Sequence, residues 1–234
     1  MSNAPEFHAV PLAEVRAETP ELVHLALNGV PAALREAYGT PGQYVQIREG
    51  DGKPGFFALA SGPGREGFEF LIKRGPPLAE ALAGKKAGQD LSISAPAGKG
   101  FPAAEAVGRA LFLVGVGSGL APLRAAAHAV LDGRLKPRAV RFYYGARRPD
   151  AIPYAAETKA WAAQGIEFHA ICSQPPGGVW NGRTGRVQAL LEECGAHVAP
   201  DACVFACGMK DMVADAKRIL AAHGLPESRV FLNF

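Results

Sequence analysis

From residue 106 onward, strand-length apolar runs alternate with helical stretches, and this rhythm restricts the fold more than any other feature of the chain. RALFLVGV, VRFYYGA, IEFHAICS and CVFACG read as strands, while LAPLRAAAHAVLDG, YAAETKAWAAQG, GRVQALLEECG and KDMVADAKRILAAHG read as helices. Strands separated by helices of ten or more residues build a parallel sheet covered on both faces. Ligands of such sheets bind at the carboxyl ends of the strands. The loops after Val114, Tyr144, Ile171 and Ala206 are therefore where a site is expected.

The first hundred residues have a different texture. HAVPLAEVRAE, ELVHLALN, GQYVQIRE, FFALAS, FEFLIKR and DLSISAPA are short segments, several alternating apolar with polar, separated by turn pairs such as Pro41-Gly42 and Asp51-Gly52. About six strands at this spacing predict an antiparallel barrel or sandwich. A short helix is expected over Leu78–Leu82, opened by Pro76-Pro77, because proline at the start of a helix forfeits an N–H that would have had no partner. The change of rhythm divides the chain into residues 1–105 and 106–234.

Composition narrows the function classes. The 25 basic residues are scattered and the net charge is +3, which gives no support to nucleic-acid or membrane-surface binding. No apolar run approaches the roughly 20 residues that span a bilayer, and MSNAPEFHAV lacks a basic segment followed by an apolar one. A cytoplasmic protein is expected, as a monomer or weak dimer. Cys203 and Cys207 are the only cysteines close together, at a spacing that fits neither zinc pairs nor iron–sulfur runs. The six histidines are dispersed, so no metal site is expected.

The loop after the first strand of the second half reads Gly115-Val116-Gly117-Ser118-Gly119-Leu120-Ala121-Pro122. A dinucleotide fingerprint would place its third glycine at position 120, where this chain has leucine. The physics survives: glycines let backbone N–H groups approach a pyrophosphate, and the following helix N-terminus adds partial positive charge. A plain tight turn would use the same glycines, so the loop alone identifies no nucleotide. Ninety residues on, Cys207-Gly208-Met209-Lys210-Asp211-Met212 ends the last apolar run.

Taken in order, these two segments resemble the pyridine-nucleotide domain of the ferredoxin–NADP reductase family, where a glycine loop with a following proline precedes a Cys-Gly-x-x-x-Met turn. Tyr144-Gly145-Ala146-Arg147, Ser173-Gln174-Pro175 and Trp180-Asn181-Gly182-Arg183-Thr184-Gly185-Arg186-Val187 resemble the family's intermediate segments. In the first half, Pro41-Gly42-Gln43-Tyr44 is similar to the family's Pro-Gly-Gln-Tyr strand, and Phe56 to Ser61 fall at its flavin-binding strand. The resemblance implies an antiparallel Greek-key barrel holding FAD, joined to an α/β nucleotide domain, and is nearest to members without an iron–sulfur domain.

What it implies residue by residue follows. FAD would lie against Tyr44, Phe57, Ala58, Leu59, Ala60 and Ser61, against Leu71, Ile72 and Lys73, and against Gly75, Pro76, Pro77 and Leu78. NAD(P)H would lie on Gly115, Val116, Gly117, Ser118, Gly119 and Pro122, with its adenosine toward Gly145, Ala146, Arg147, Ser173 and Gln174 and its nicotinamide near Cys207, Gly208, Met209 and Met212. Cys207 would shape the approach to nicotinamide C4, and the terminal Phe234 would stack over the flavin, unless it is only the end of an edge strand. NADPH is slightly favoured, because no carboxylate follows Ser173. A ferredoxin or flavodoxin would be an acceptor.

The flavin strand departs from the family's Arg-x-Tyr-Ser: Gly55 stands for the arginine, Phe57 for the tyrosine and Ala58 for the serine, with Leu78 where a Ser or Thr usually opens the following helix. An aromatic face is kept. The arginine's charge-assisted bond is not, unless Lys73 or Arg74 supplies it or the Gly75 N–H and the short helix hold phosphate instead. Two functions stay open: an NAD(P)H-dependent flavin oxidoreductase, and a non-catalytic nucleotide-binding or electron-transfer subunit that no longer holds FAD tightly.

Overall fold

The structure is a computed structural model that describes residues 5–178, 180–194 and 198–233. Six strands, β1 (Phe7–Ala17), β2 (Leu22–Leu27), β3 (Tyr44–Arg48), β4 (Gly55–Ala58), β5 (Phe68–Lys73) and β6 (Asp90–Ser94), pair antiparallel in the order β4-β3-β6-β1-β2-β5. The sheet curls until its edges meet. The Ala60 N–H donates to the Glu69 carbonyl at 2.7 Å and Leu59 bridges Phe70, which closes the barrel. Val45, Ile47, Leu59, Phe70, Leu91 and Ile93 fill its interior with no exposed surface. Two short helices join these strands, α1 (Ala32–Ala37) between β2 and β3 and α2 (Pro77–Ala83) between β5 and β6. The predicted helix at Leu78–Leu82 is α2, with Pro77 in its first turn; α1 was not expected.

The second sheet is parallel. After the four-residue helix α3 (Ala103–Ala106) come β7 (Ala110–Val116), α4 (Leu120–Leu131), β8 (Ala139–Ala146), α5 (Ala155–Trp161), β9 (Ile166–Cys172), β10 (Arg183–Thr184), α6 (Val187–Cys194), β11 (Cys203–Cys207), α7 (Lys210–Ala222) and β12 (Val230–Phe231). The strand order is β10-β9-β8-β7-β11-β12. Leu190, Leu191, Met212, Ala216 and Ile219 of α6 and α7 pack on one face, and α4 and α5 cover the other. From β7 the chain winds outward to β8 and β9 on one side, then returns to lay β11 on the other. The crevice at that reversal, outside the carboxyl ends of β7 and β11, is where such sheets bind ligands.

Helix α4 is buried on nearly all sides, from Leu120 to Ala129, because it lies between the parallel sheet and the barrel. Leu22, Ala60 and Leu71 of the barrel share one apolar cluster with Leu120, Leu123 and Ala127 of α4. The alanines permit close approach: a Cβ on Gly62 of the barrel would come 2.7 Å from His128 Cβ.

A buried polar network crosses the same seam. Arg124 is only 7% exposed. Its Nε donates to both oxygens of Glu157 at 3.1 and 2.9 Å, and Nη1 donates to Glu69 and to the Ala60 carbonyl. The guanidinium also lies 4.3 Å from the centre of the Tyr154 ring. His128 accepts the Gly62 N–H at Nδ1, so its proton sits on Nε2, which donates to Glu157 at 2.7 Å. The neighbouring Tyr154, at φ +55°, is the one non-glycine residue described with positive φ; its N–H donates to Glu18 at 2.6 Å and its hydroxyl meets His24 Nδ1 at 2.9 Å. Barrel and sheet are thus tied by charge as well as apolar contact.

Candidate active site between the barrel and the parallel sheet

A cavity of about 430 Å³ opens where the barrel faces the carboxyl ends of β7 and β11. Phe57 and Ala58 of β4 and Leu71, Ile72 and Lys73 of β5 form the barrel wall. Pro76 and Leu78 at the start of α2 close one end, and Ser118, Gly119, Pro122 and Cys207 form the opposite wall. The size and mostly apolar lining suit a flat organic ligand. Gly55, which stands where the family has its arginine, also lines it, as do Phe56, Ala79 and Ala121, which were assigned no contact from sequence. Phe56 is 67% exposed at the rim, a signal that only a folded surface reveals.

The glycines of the opposite wall are explained by contact. A Cβ on Gly119 would lie 2.3 Å from the Cys207 carbonyl oxygen, and one on Gly115 would lie 2.5 Å from Leu123 Cδ1. A Cβ on Gly208 would lie 2.3 Å from Met212 Cε and 2.8 Å from Val116 Cγ2. The glycine loop and the Cys207-Gly208 turn are therefore pressed together, and side chains would force them apart. Gly117 differs. Its φ is +55° and nothing lies within 4 Å of its Cβ position, so it faces open space in a left-handed conformation. The buried Tyr144 hydroxyl donates to the Gly117 carbonyl at 3.0 Å from beneath. The loop runs through one 3₁₀ turn, Gly117–Gly119, into α4, whose N-terminus has no side-chain cap.

Cys207 stands at the end of β11, half-buried, and burial pushes its thiol up to about 11. It is therefore a neutral thiol, not a thiolate, at neutral pH. Arg147 lies at the end of β8, exposed, donating from Nε to Gln174 Oε1 at 2.8 Å, while the Ser173 N–H donates to the Ala146 carbonyl. These residues, with Gly145, lie along the strand ends beyond the cavity lining. Met209 is 69% exposed beside the turn and Met212 is buried under it.

Other expected positions are occupied differently. Tyr44 lies outside the cavity lining, its ring edge-on to Phe56 at 5.4 Å. Leu59 and Ala60 are wholly buried in the barrel closure. Ser61 is consumed there too: its Oγ accepts the Glu69 N–H at 3.1 Å and its carbonyl accepts the Tyr38 hydroxyl at 2.7 Å. The Gly75 N–H, expected to be free for phosphate, instead donates to Glu80 Oε1 at 2.7 Å. Phe234 lies outside the described residues; Asn233 before it is buried and donates to the Gly42 carbonyl. Among the described residues no group of three His, Cys, Asp or Glu side chains can hold a metal ion. No helix among them is long and apolar enough to cross a membrane.

Residues 113–218 match the model of the oxidoreductase NAD-binding domain family. Over 98% of both chains, the fold is similar to that of a ferredoxin NADP+ reductase from Neisseria gonorrhoeae solved with bound FAD and NADP, with a TM-score of 0.81 at 18% identity. The fold is that of ferredoxin–NADP reductase-like proteins, with an oxidoreductase NAD-binding domain in its second half. Fruit protein pKIWI502 of Actinidia deliciosa is 29% identical over 83% of this chain and 66% of its own length. One component of the Na(+)-translocating NADH-quinone reductase of Shewanella putrefaciens is 31% identical over 64% of this chain and 54% of its own. The chain thus spans between about half and two thirds of these two relatives.

Whether the cavity fits a flavin can be tested on its walls. The ring portion fits: Phe57, Leu71, Ile72, Leu78, Ala121 and Pro122 wall the cavity with apolar groups against which a flat ring can pack. The phosphate end fits poorly. A Cβ on Gly55 would already lie 2.9 Å from Leu78 Cδ2 and 3.0 Å from Phe57 Cε2, so no side chain can reach out from that position without displacing them.

Proposed function

We propose that this chain is an NAD(P)H-dependent flavin oxidoreductase whose reaction takes place in the cavity between Phe57 and Cys207. The observation that carries the reading is that cavity itself: it joins an aromatic barrel wall to a glycine loop at the carboxyl end of a parallel sheet. Flavin bound there supplies a two-electron acceptor that can release electrons singly, which no side chain provides. The protein's part is binding, alignment and exclusion of water.

Gly117, Ser118 and Gly119 present backbone to the nucleotide pyrophosphate, and the uncapped N-terminus of the twelve-residue helix α4 adds partial positive charge. Pro122, in its first turn, gives up an N–H that has no helical partner. Cys207 and Gly208 form the floor under the nicotinamide, where the neutral thiol limits how the ring can tilt. Arg147, at the end of β8, lies on the adenosine side and favours NADPH through the 2′-phosphate. Arg183 is matched by Glu193. The barrel, residues 1–105, holds the flavin, and residues 106–234 hold the nucleotide. The acceptor is a ferredoxin, a flavodoxin or a small molecule.

Anaerobic mixing of the protein, supplied with FAD, with NADPH or NADH tests this reading. Bleaching of flavin absorbance faster than in a protein-free control supports it. Bleaching at the control rate with both nucleotides would favour a non-catalytic binding subunit. Cys207→Ala is expected to slow bleaching more than it weakens nucleotide affinity, and equal loss of both would assign Cys207 a merely structural role.

A further inference from the structure

The corner of the cavity at the start of α2 is built in a way that turns phosphate away. Pro76 and Pro77 supply no N–H groups there. The Glu80 N–H is already bonded to the Pro76 carbonyl at 3.0 Å, which leaves only Leu78 and Ala79 with backbone donors in the first turn. The Gly75 N–H just before it is taken by the Glu80 carboxylate at 2.7 Å. That carboxylate adds a negative charge beside the corner, and it faces Arg74 across 3.9 Å. Lys73 is the single cationic side chain among the lining residues described, and it is exposed. Gly55 sends nothing from β4, and Phe57 and Leu78 fill the space above it. The ring-facing walls, by contrast, are apolar on both sides.

We infer that the site recognises the isoalloxazine and ribityl part of a flavin and gains no affinity from its phosphate end. Riboflavin, FMN and FAD then bind with similar affinity, and flavin is an exchangeable ligand. The inference rests on the flavin reading above. A single charge-assisted hydrogen bond to phosphate would be worth a factor of about ten or more in affinity, so its absence is measurable.

The test is equilibrium titration of flavin-free full-length protein with riboflavin, FMN and FAD, read by quenching of flavin fluorescence and by calorimetry. The three dissociation constants are expected to agree within about tenfold. A preference for FAD over riboflavin beyond about tenfold would overturn this inference and leave the flavin reading standing. No binding of any of the three would overturn both. Glu80→Gln removes the competing charge while preserving shape. It is expected to tighten FMN and FAD about three- to tenfold and to leave riboflavin unchanged. An equal effect on all three flavins, or none on any, would show that Glu80 does not guard the phosphate end and would overturn the inference.

Discussion

Replacing Gly119 by alanine sets a single methyl group against the central geometry of the site. Gly119 has φ −60°, ordinary for any residue, so backbone strain plays no part and helix propensity slightly favours alanine. Space decides the outcome. The new Cβ would lie 2.3 Å from the Cys207 carbonyl oxygen, 2.8 Å from its carbon and 3.3 Å from the Gly208 nitrogen. Restoring ordinary contact requires loop and turn to part by about 1 Å, and both are backbone, with no flexible side chain to yield. Overpacking of this kind costs about 1–3 kcal/mol. The same displacement moves the glycine loop relative to Cys207, and a 1 Å misplacement of reacting groups can cost about a hundredfold in rate. Gly117→Ala is the control: nothing stands near its Cβ position, but φ +55° costs an L-residue about 1–2 kcal/mol without wedging the loop. Urea denaturation and stopped-flow flavin reduction on both variants separate the effects. Comparable stability losses are expected; the rate at saturating nucleotide should fall steeply in Gly119→Ala alone, while the Gly117→Ala methyl, facing the open side of the loop, should raise the nucleotide Kd instead. Equal rate losses in the two variants, or a Gly119→Ala protein with unaltered stability and rate, would refute the reasoning.

Three further expectations concern the seam and the strand ends. Arg124→Met leaves Glu157 and Glu69 facing a buried space without their cation, and should lower unfolding free energy by about 3–5 kcal/mol in urea titrations; adding Glu157→Gln should cost less than the sum of the two single changes. Burial holds His128 and His24 below the ordinary imidazole value of 6.5, so each stays neutral in the fold while the unfolded chain takes up protons. Burial pushes the Glu157 carboxyl up, but the His128 bond and the Arg124 charge outweigh it and hold it below 4.5. Stability should therefore be full above pH 6.5, fall as pH drops below that value, and fall again as Glu157 is protonated. Calorimetric melting temperatures should follow this course, with a shallower first decline in His128→Gln. Arg147→Ala should weaken NADPH binding about tenfold and leave NADH nearly unaffected, a difference that direct titration reads.

The fold was legible because each segment carries its own periodicity. LVGV before a glycine loop and LAPLRAAAHAVL after it can hardly be anything but a buried strand and a buried helix, and α4 is indeed covered on both sides. The short helices α1 and α3 escaped notice because four to six residues leave too little pattern. The site was legible only in outline. Phe57, Leu71, Gly119, Pro122 and Cys207 line one cavity although they are scattered over 150 residues. Which groups are already spent was not readable. The Gly75 N–H is taken by a side chain five residues on, and Ser61 by the barrel closure. The Arg124 network joins residues separated by 29 to 136 positions, and no local spacing signals such a pairing.

The proposed reaction requires nicotinamide and flavin to meet in the cavity between Phe57 and Cys207. Anaerobic stopped-flow of flavin-loaded protein with NAD(P)H and with its C4-deuterated form tests this most directly. Saturable bleaching that slows with the deuterated nucleotide is expected. Unbleached flavin at saturating nucleotide, with both ligands shown to be bound, would contradict it.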